Sequence, residues 1–258
     1  MITVIRQSMV GMWLKCPEAF RRRYIENEIM PPGITARRGS ATHKAAQINH
    51  RQKIKTAIDL PLDDLKDATR DEYVSLLTNE GVYIPKEQLS EKKKIINNGL
   101  NEALRATSVY REEIAPKIQP ASAEATIEVV IPGIPLPIRG TTDCEDVAGY
   151  IHDLKVMKTK SQEWADHTVQ PSFYYILYRA FHGKWPEGFK YQMVIPNATM
   201  VHKEIVTTRD MRQIKATLRI VEAFLKDLNT GNFKPADPES WICSPLFCGY
   251  YHSCRFVA

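Results

Sequence analysis

The stretch EATIEVVIPGIPLPIRGTTDCEDVAGYIHDLKVMK, residues 124–158, constrains the fold more than any other part of the chain. Before it, apolar residues recur at the three- and four-residue spacing of helices. Within it, β-branched residues take over in short runs separated by turn formers. Thr126 to Ile131, Ile138 to Asp143 and Tyr150 to Val156 read as three successive strands, with Gly133 and Gly149 in the turns. Strands joined so closely pair antiparallel. A helix is expected from Ser161 to about His182, then strands at Phe189–Ile195 and Val201–Thr207. An amphipathic helix from Asp210 to Asn229 ends at Thr230-Gly231. The sum is an α/β fold, a central mixed β-sheet flanked by helices.

The first half reads as helical. A helix over residues 8–28 has Ser8 as its N-cap and an apolar stripe through Met9, Met12, Cys16, Phe20 and Tyr24. Met30-Pro31-Pro32-Gly33 breaks the chain. A second helix is expected from about Arg38 to Lys55, and polar helices over 60–115 with Tyr73, Leu76, Leu77, Ile95, Ile96, Leu100 and Leu104 buried. With 43% hydrophobic and 25% charged residues, the composition is that of an ordinary globular protein. The chain has no run of eighteen apolar residues and no leader-like start, so a cytoplasmic protein is the expectation. The net charge of +5 is compatible with a polyanionic partner.

The chemistry concentrates in the predicted strands. Asp143 ends one, and Asp153-Leu154-Lys155 lies in the next. Residues two apart on a strand share a face, so Asp153 and Lys155 project together with Leu154 turned inward. A hairpin would bring Asp143 beside Asp153. Two carboxylates with an adjacent ammonium suit a divalent-metal phosphodiesterase: carboxylate oxygens hold Mg²⁺ or Mn²⁺, and the lysine stabilises phosphate charge. An isolated Asp-x-Lys is common and is ordinarily a surface hairpin. Two further elements add to it. Arg38-Gly39-Ser40-Ala41-Thr42-His43 puts a histidine four residues after a glycine near a helix start, and Gln170-Pro171-Ser172-Phe173-Tyr174 puts Gln170 and Tyr174 on one helical face.

Taken in order, Gly39 to His43, Gly140 to Asp143, Asp153 to Lys155 and Gln170 to Tyr174 resemble the PD-(D/E)XK nuclease superfamily in its RecB-type branch. The resemblance runs over residues 8–254. It implies a restriction-endonuclease-like core. It also implies that His43, Asp143 and Asp153, with the Leu154 carbonyl, bind the catalytic metal, and that Lys155 is catalytic, with Gln170 and Tyr174 in the site. Glu128 ranks low as a further acidic neighbour. Arg37, Arg38, Lys158 and Lys160 flank these elements and are expected to contact DNA. Trp164, Phe173 and Tyr175 are candidate stacking surfaces, some of them core.

The five cysteines are an odd number, which argues against a complete disulfide framework. Several RecB-type nucleases, among them the AddB nuclease domain and CRISPR-associated adaptation exonucleases, carry a [4Fe–4S] cluster on one early and three late cysteines. The resemblance places such a cluster on Cys16, Cys243, Cys248 and Cys254. Four residues separate Cys243 from Cys248, where the family more often has two. Zinc is the alternative, on all four cysteines or with His252 replacing one, and reduced buried thiols the plainer one. Cys144 reads as a core thiol.

The whole chain, 1–258, is expected to form one nuclease domain: a mainly helical part over 1–120, a catalytic core over 121–230 and a cysteine-bearing tail over 231–258. The expected activity is a metal-dependent DNA exonuclease working on single strands or DNA ends in recombination and repair, phage DNA metabolism or CRISPR adaptation. An endonuclease of the same fold and a non-catalytic zinc-bearing accessory protein are the alternatives. The chain has no Gly-x-x-x-x-Gly-Lys-Ser/Thr, so a helicase would be a separate partner.

Overall fold

The computed structural model describes residues 2–157 and 159–257. Its sheet has six strands: β1 (Ile5–Arg6), β2 (Pro120–Val129), β3 (Ile138–Asp146), β4 (Tyr150–Val156), β5 (Gly188–Ile195) and β6 (Val201–Thr207). The order is β1-β3-β4-β5-β6, with β2 paired to β3. The helices are α1 (Gln7–Lys15), α2 (Pro17–Tyr24), α3 (Ile34–Thr56), α4 (Leu62–Asn79), α5 (Lys92–Val109), α6 (Gln162–His167), α7 (Val169–His182) and α8 (Met211–Thr230). β2, β3 and β4 form the expected antiparallel meander. β5 lies parallel to β4, so the chain must cross over between them, and α6 and α7 make that crossover.

The pairing of β3 is uneven along its length. One edge is occupied by β2 from end to end. On the other edge, β1 pairs at Ile138 and Arg139, while β4 pairs only at Cys144 and Glu145. Between them, Gly140-Thr141-Thr142-Asp143 has no strand partner on that side. The two neighbouring strands diverge there, and side chains take over the backbone groups that a ladder would have satisfied. Tyr174 on α7 donates its hydroxyl to the Thr141 carbonyl at 2.9 Å. The Leu154 N–H donates to Asp143 Oδ2 at 3.0 Å.

Both faces of the sheet are covered. Alternate residues of β4 enter different cores, as strand geometry requires. Leu154 and Val156 pack with Ala45 and Ala46 of α3 and with Tyr110, whereas Ile151 packs with Tyr175 and Ile176 of α7. Phe20 of α2, Phe173 of α7 and Phe224 of α8 join Ile127 and Ile138 on the latter side. Gly140 is required by this packing: a Cβ there would collide with Leu177 of α7 and crowd Tyr174.

Several expected boundaries shift for identifiable reasons. The single helix over 8–28 is two helices, broken at Cys16, whose backbone is extended at φ −159°. Pro17 disfavours a helical residue before it, and the Cys16 sulfur caps α2 by accepting from Ala19 N. Ser8 is not the N-cap; Arg6 holds that position without a side-chain cap. The helix from Ser161 also divides, at Thr168. α3 begins at Ile34 rather than Arg38, and β2 at Pro120 rather than Thr126. The expected leucine stripes of α4 and α5 are half-buried. The close contact uses Tyr73 against Gly99, with Ala103, Ala106 and Thr107 following.

Glu124 is an unexpected strain point. It lies inside β2 between residues paired to Cys144 and Thr142, opposite Asp143, yet its φ is +52°. A non-glycine residue in the left-handed region costs on the order of 1–2 kcal/mol. Glu124→Gly should therefore be more stable than Glu124→Ala by about 1 kcal/mol in urea unfolding. Equal stability of the two variants would remove the strain argument.

Candidate active site

The gap in the β3 ladder is the centre of the site. Extending the Cys144–His152 register by one pair sets Asp143 opposite Asp153. Asp143 Oδ2 accepts from the Leu154 amide and lies 3.1 Å from His43 Nδ1 on α3. Lys155 Nζ spans the Asp153 carboxylate, donating to Oδ1 at 2.9 Å and standing 2.7 Å from Oδ2. Gln170 Nε2 of α7 donates to the same Oδ1 at 2.8 Å, and Tyr191 donates to Gln170 Oε1 at 3.4 Å. The Lys155 contact at Oδ2 is off the hydrogen-bond direction, so this buried oxygen has no directed donor among the described residues. Tyr174 donates to the Thr141 carbonyl, and its hydroxyl lies beside Gln170 within electrostatic range of Asp153 and Asp143. The structure thus brings His43, Asp143, Asp153, Lys155 and Gln170 together, with Tyr174 beside Gln170.

The electrostatics follow from burial set against charge. Burial raises the pKa of Asp153, the Asp143 charge adds to that, and Lys155 offsets only part of it. Burial would raise Asp143 as well, but His43, Lys155 and the Leu154 amide together hold it below the ordinary aspartate range. His43 is raised, because the Asp143 carboxylate outweighs the desolvation of its ring. Lys155 is raised in the same way by Asp153 and Asp143, so its ammonium stays charged. The pair is therefore asymmetric: Asp143 is the better-stabilised anion and Asp153 the costlier one.

A cleft of about 540 Å³ opens onto this group. Its walls include Ala36, Gly39, Ser40, His43 and Lys44 of α3, with Glu124, Leu154 and Lys155 opposite. Glu124 escaped the sequence reading. Its carboxyl is raised by burial and by Asp143, and it lines the cleft beside His43. A non-glycine left-handed residue in a strand leaves no signal in a single sequence. Glu128, by contrast, is away from the site and paired with Arg139.

The expected DNA contacts need correction. Arg37 and Arg38 are only 2% and 7% exposed. Arg37 bonds Glu80 and the Gly81 carbonyl, and Arg38 bonds Glu102 and the Val156 carbonyl, so both tie α3 to its neighbours. Lys160 is accessible, with its Nζ over the Trp164 ring; Lys158 lies outside the described residues. Phe173 and Tyr175 are core and offer no stacking surface.

Cys16, Cys243, Cys248 and Cys254 line one apolar pocket of about 260 Å³ together with Met12, Ala19 and Phe247. Cys144 is fully buried elsewhere, as expected of a core thiol. Burial pushes the thiols of Cys243 and Cys248 up, with the neighbouring sulfurs adding to the shift. The tail is anchored without help from the cysteines. Arg22 reaches Ser253 Oγ at 2.7 Å, Tyr250 donates to the Glu28 carbonyl at 2.6 Å, and Arg255 pairs with buried Glu18 at 3.1 Å. Among the described residues, no three His, Cys, Asp or Glu side chains form a ready-made metal-binding group, at this pocket or at the carboxylates.

Comparison with known proteins agrees with this geometry. No curated protein matches the chain. Among solved structures, a presumed exonuclease from Eubacterium rectale superposes with a TM-score of 0.62 at 12% identity, covering 98% of this chain and 88% of the other. That likeness is one of fold. The protein SSO0001 aligns with a TM-score of 0.44 at 15% identity, covering 100% of this chain and 88% of its own. The family model of the PD-(D/E)XK nuclease superfamily matches residues 7–255, nearly the whole chain. The chain belongs to the PD-(D/E)XK nuclease superfamily.

Proposed function

We propose that this protein is a divalent-metal-dependent exodeoxyribonuclease that hydrolyses single-stranded DNA or DNA ends. The observation that carries this reading is the convergence of Asp143, Asp153 and Lys155 at an open gap in the sheet, with His43 and Gln170 against them.

The donor set fits Mg²⁺ or Mn²⁺, since carboxylate oxygens dominate it and one buried oxygen of Asp153 lacks a directed hydrogen bond. Asp143, Asp153 and His43, with the Leu154 carbonyl, would hold the ion. When bound, such an ion supplies Lewis-acid polarisation of the scissile phosphate and lowers the pKa of a water. The residues of the chain do the rest. The Leu154 amide and His43 fix the Asp143 carboxylate, and Gln170 fixes that of Asp153. Lys155 keeps its proton and places a cation where negative charge grows on the phosphate oxygens. The chemistry is phosphodiester hydrolysis: water oxygen bonds to phosphorus, the bond to the leaving sugar oxygen breaks, and that oxygen takes a proton.

The cysteine pocket supports a second group. Four thiols sharing one cavity suit a [4Fe–4S] cluster, with zinc as the alternative; solitary reduced cysteines have no reason to gather. On this reading residues 1–258 act as one nuclease domain whose first helices and tail are joined at that pocket.

End-labelled linear single-stranded DNA incubated with Mn²⁺ and anaerobically purified protein should be degraded, and Lys155→Ala should slow this about 10²–10³-fold. Circular single strands should survive. Rapid cutting of the circle would replace exonuclease with endonuclease, and an inert folded wild type would overturn the nuclease reading. Metal analysis of the same protein should find about four irons per chain, and Cys248→Ser should lose them. Zinc in their place would reassign the pocket.

A further inference from the structure

The cleft poses an electrostatic problem. Glu72 and Glu124 line it, and Asp143 and Asp153 lie behind its wall, against His43 and Lys155. A polyanion entering this space meets two glutamates in the walls, with two aspartates directly behind them. Lys155 does not offset them, because it is committed to Asp153. Arg37, Arg38 and Lys53, further cations of α3, are also committed, to Glu80, Glu102 and Asp59.

Among the described residues three cations of α3 are not committed: Lys44, Arg51 and, at the far end of the helix, Lys55. Lys44 lines the cleft, and Arg51 is exposed two turns further along the helix. Lys44 and Arg51 both lie within electrostatic range of Glu124, which places them on the active-site side. Among the described residues neither forms an ion pair or a side-chain hydrogen bond. The same holds for Ser40 and Gln47, which also line the cleft. Ser40, Lys44, Gln47 and Arg51 fall at spacings of four, three and four, so they share one helical face. That face is about 16 Å long by helical rise. Low side chains at Ala36 and Gly39 continue it toward the helix start, and a Cβ at Gly39 would meet nothing within 4 Å.

We infer that the Ser40–Lys44–Gln47–Arg51 face of α3 is the track for the substrate strand, with Lys44 and Arg51 contacting its phosphates. The inference rests on the nuclease reading of the adjoining site and specifies how that site holds a single DNA strand. The four side chains offer donors without protein acceptors, next to carboxylates that need compensating charge before a phosphate can approach. Lys44 and Arg51 are positioning residues; the track replaces the buried Arg37 and Arg38.

The test is binding of a fluorescein-labelled oligo(dT) by anisotropy in EDTA, where no cleavage occurs, across a KCl series. Each phosphate contact on a single strand contributes about 0.7 to the slope of log K against log salt. Lys44→Gln with Arg51→Gln should flatten the slope by about 1.4 and weaken low-salt binding at least tenfold. In Mn²⁺ the same variant should raise KM with kcat nearly unchanged. Lys92→Gln with Lys93→Gln, on the exposed start of α5, should leave the slope as in wild type. A wild-type slope in the α3 variant, or an equal loss in the α5 variant, would overturn the track. A wild type that cleaves DNA while the α3 variant binds normally would overturn the track alone. A wild type that neither binds nor cleaves would overturn the nuclease reading with it.

Discussion

The Leu154 amide donates to the Asp143 carboxylate, and the rest of the site is arranged around that bond. It forms where β3 has lost its strand partner, between the short pairing with β1 and the short pairing with β4. A backbone donor inside a protein must find an acceptor. Here the acceptor is a side chain, so one carboxylate completes the sheet and meets His43 of the cleft wall at once. Asp153 and Lys155 then follow from strand alternation, and Gln170 and Tyr174 from the crossover that parallel β5 demands. The polar group gathers in the gap because the gap is where side chains replace backbone pairing.

The same economy governs the charges of α3. This helix is amphipathic in an unusual sense: its buried side holds arginines as well as alanines. Arg37 and Arg38 are desolvated and serve as ties to α4, α5 and β4. His43 on the next turns reaches Asp143. Charges that join elements together and charges that face the cleft thus come from one helix, divided by its 3.6-residue period.

Much of this was legible in the sequence, and the parts that were not share a cause. The meander and the second strand pair were readable because β-branched runs and turn glycines mark strands locally. The convergence of Asp143 with Asp153 was readable because strand alternation and a short turn nearly determine it. Three things required the third dimension. Arg37 and Arg38 look like surface cations until α4 and α5 fold over them. Glu124 enters the site through a left-handed φ that nothing in an alanine-flanked glutamate announces. The break at Cys16 was available in principle, since Pro17 follows it, but the regular apolar spacing across the break masked it.

Asp143 and Asp153 at the split edge of β3 are expected to hold a divalent cation. Calorimetric titration of Mn²⁺ into metal-stripped wild type and Asp153→Asn tests it most directly, and the variant controls for any binding at the cysteine pocket. The wild type should bind Mn²⁺ saturably, and the variant at least about tenfold more weakly. Identical binding curves for the two proteins would contradict it.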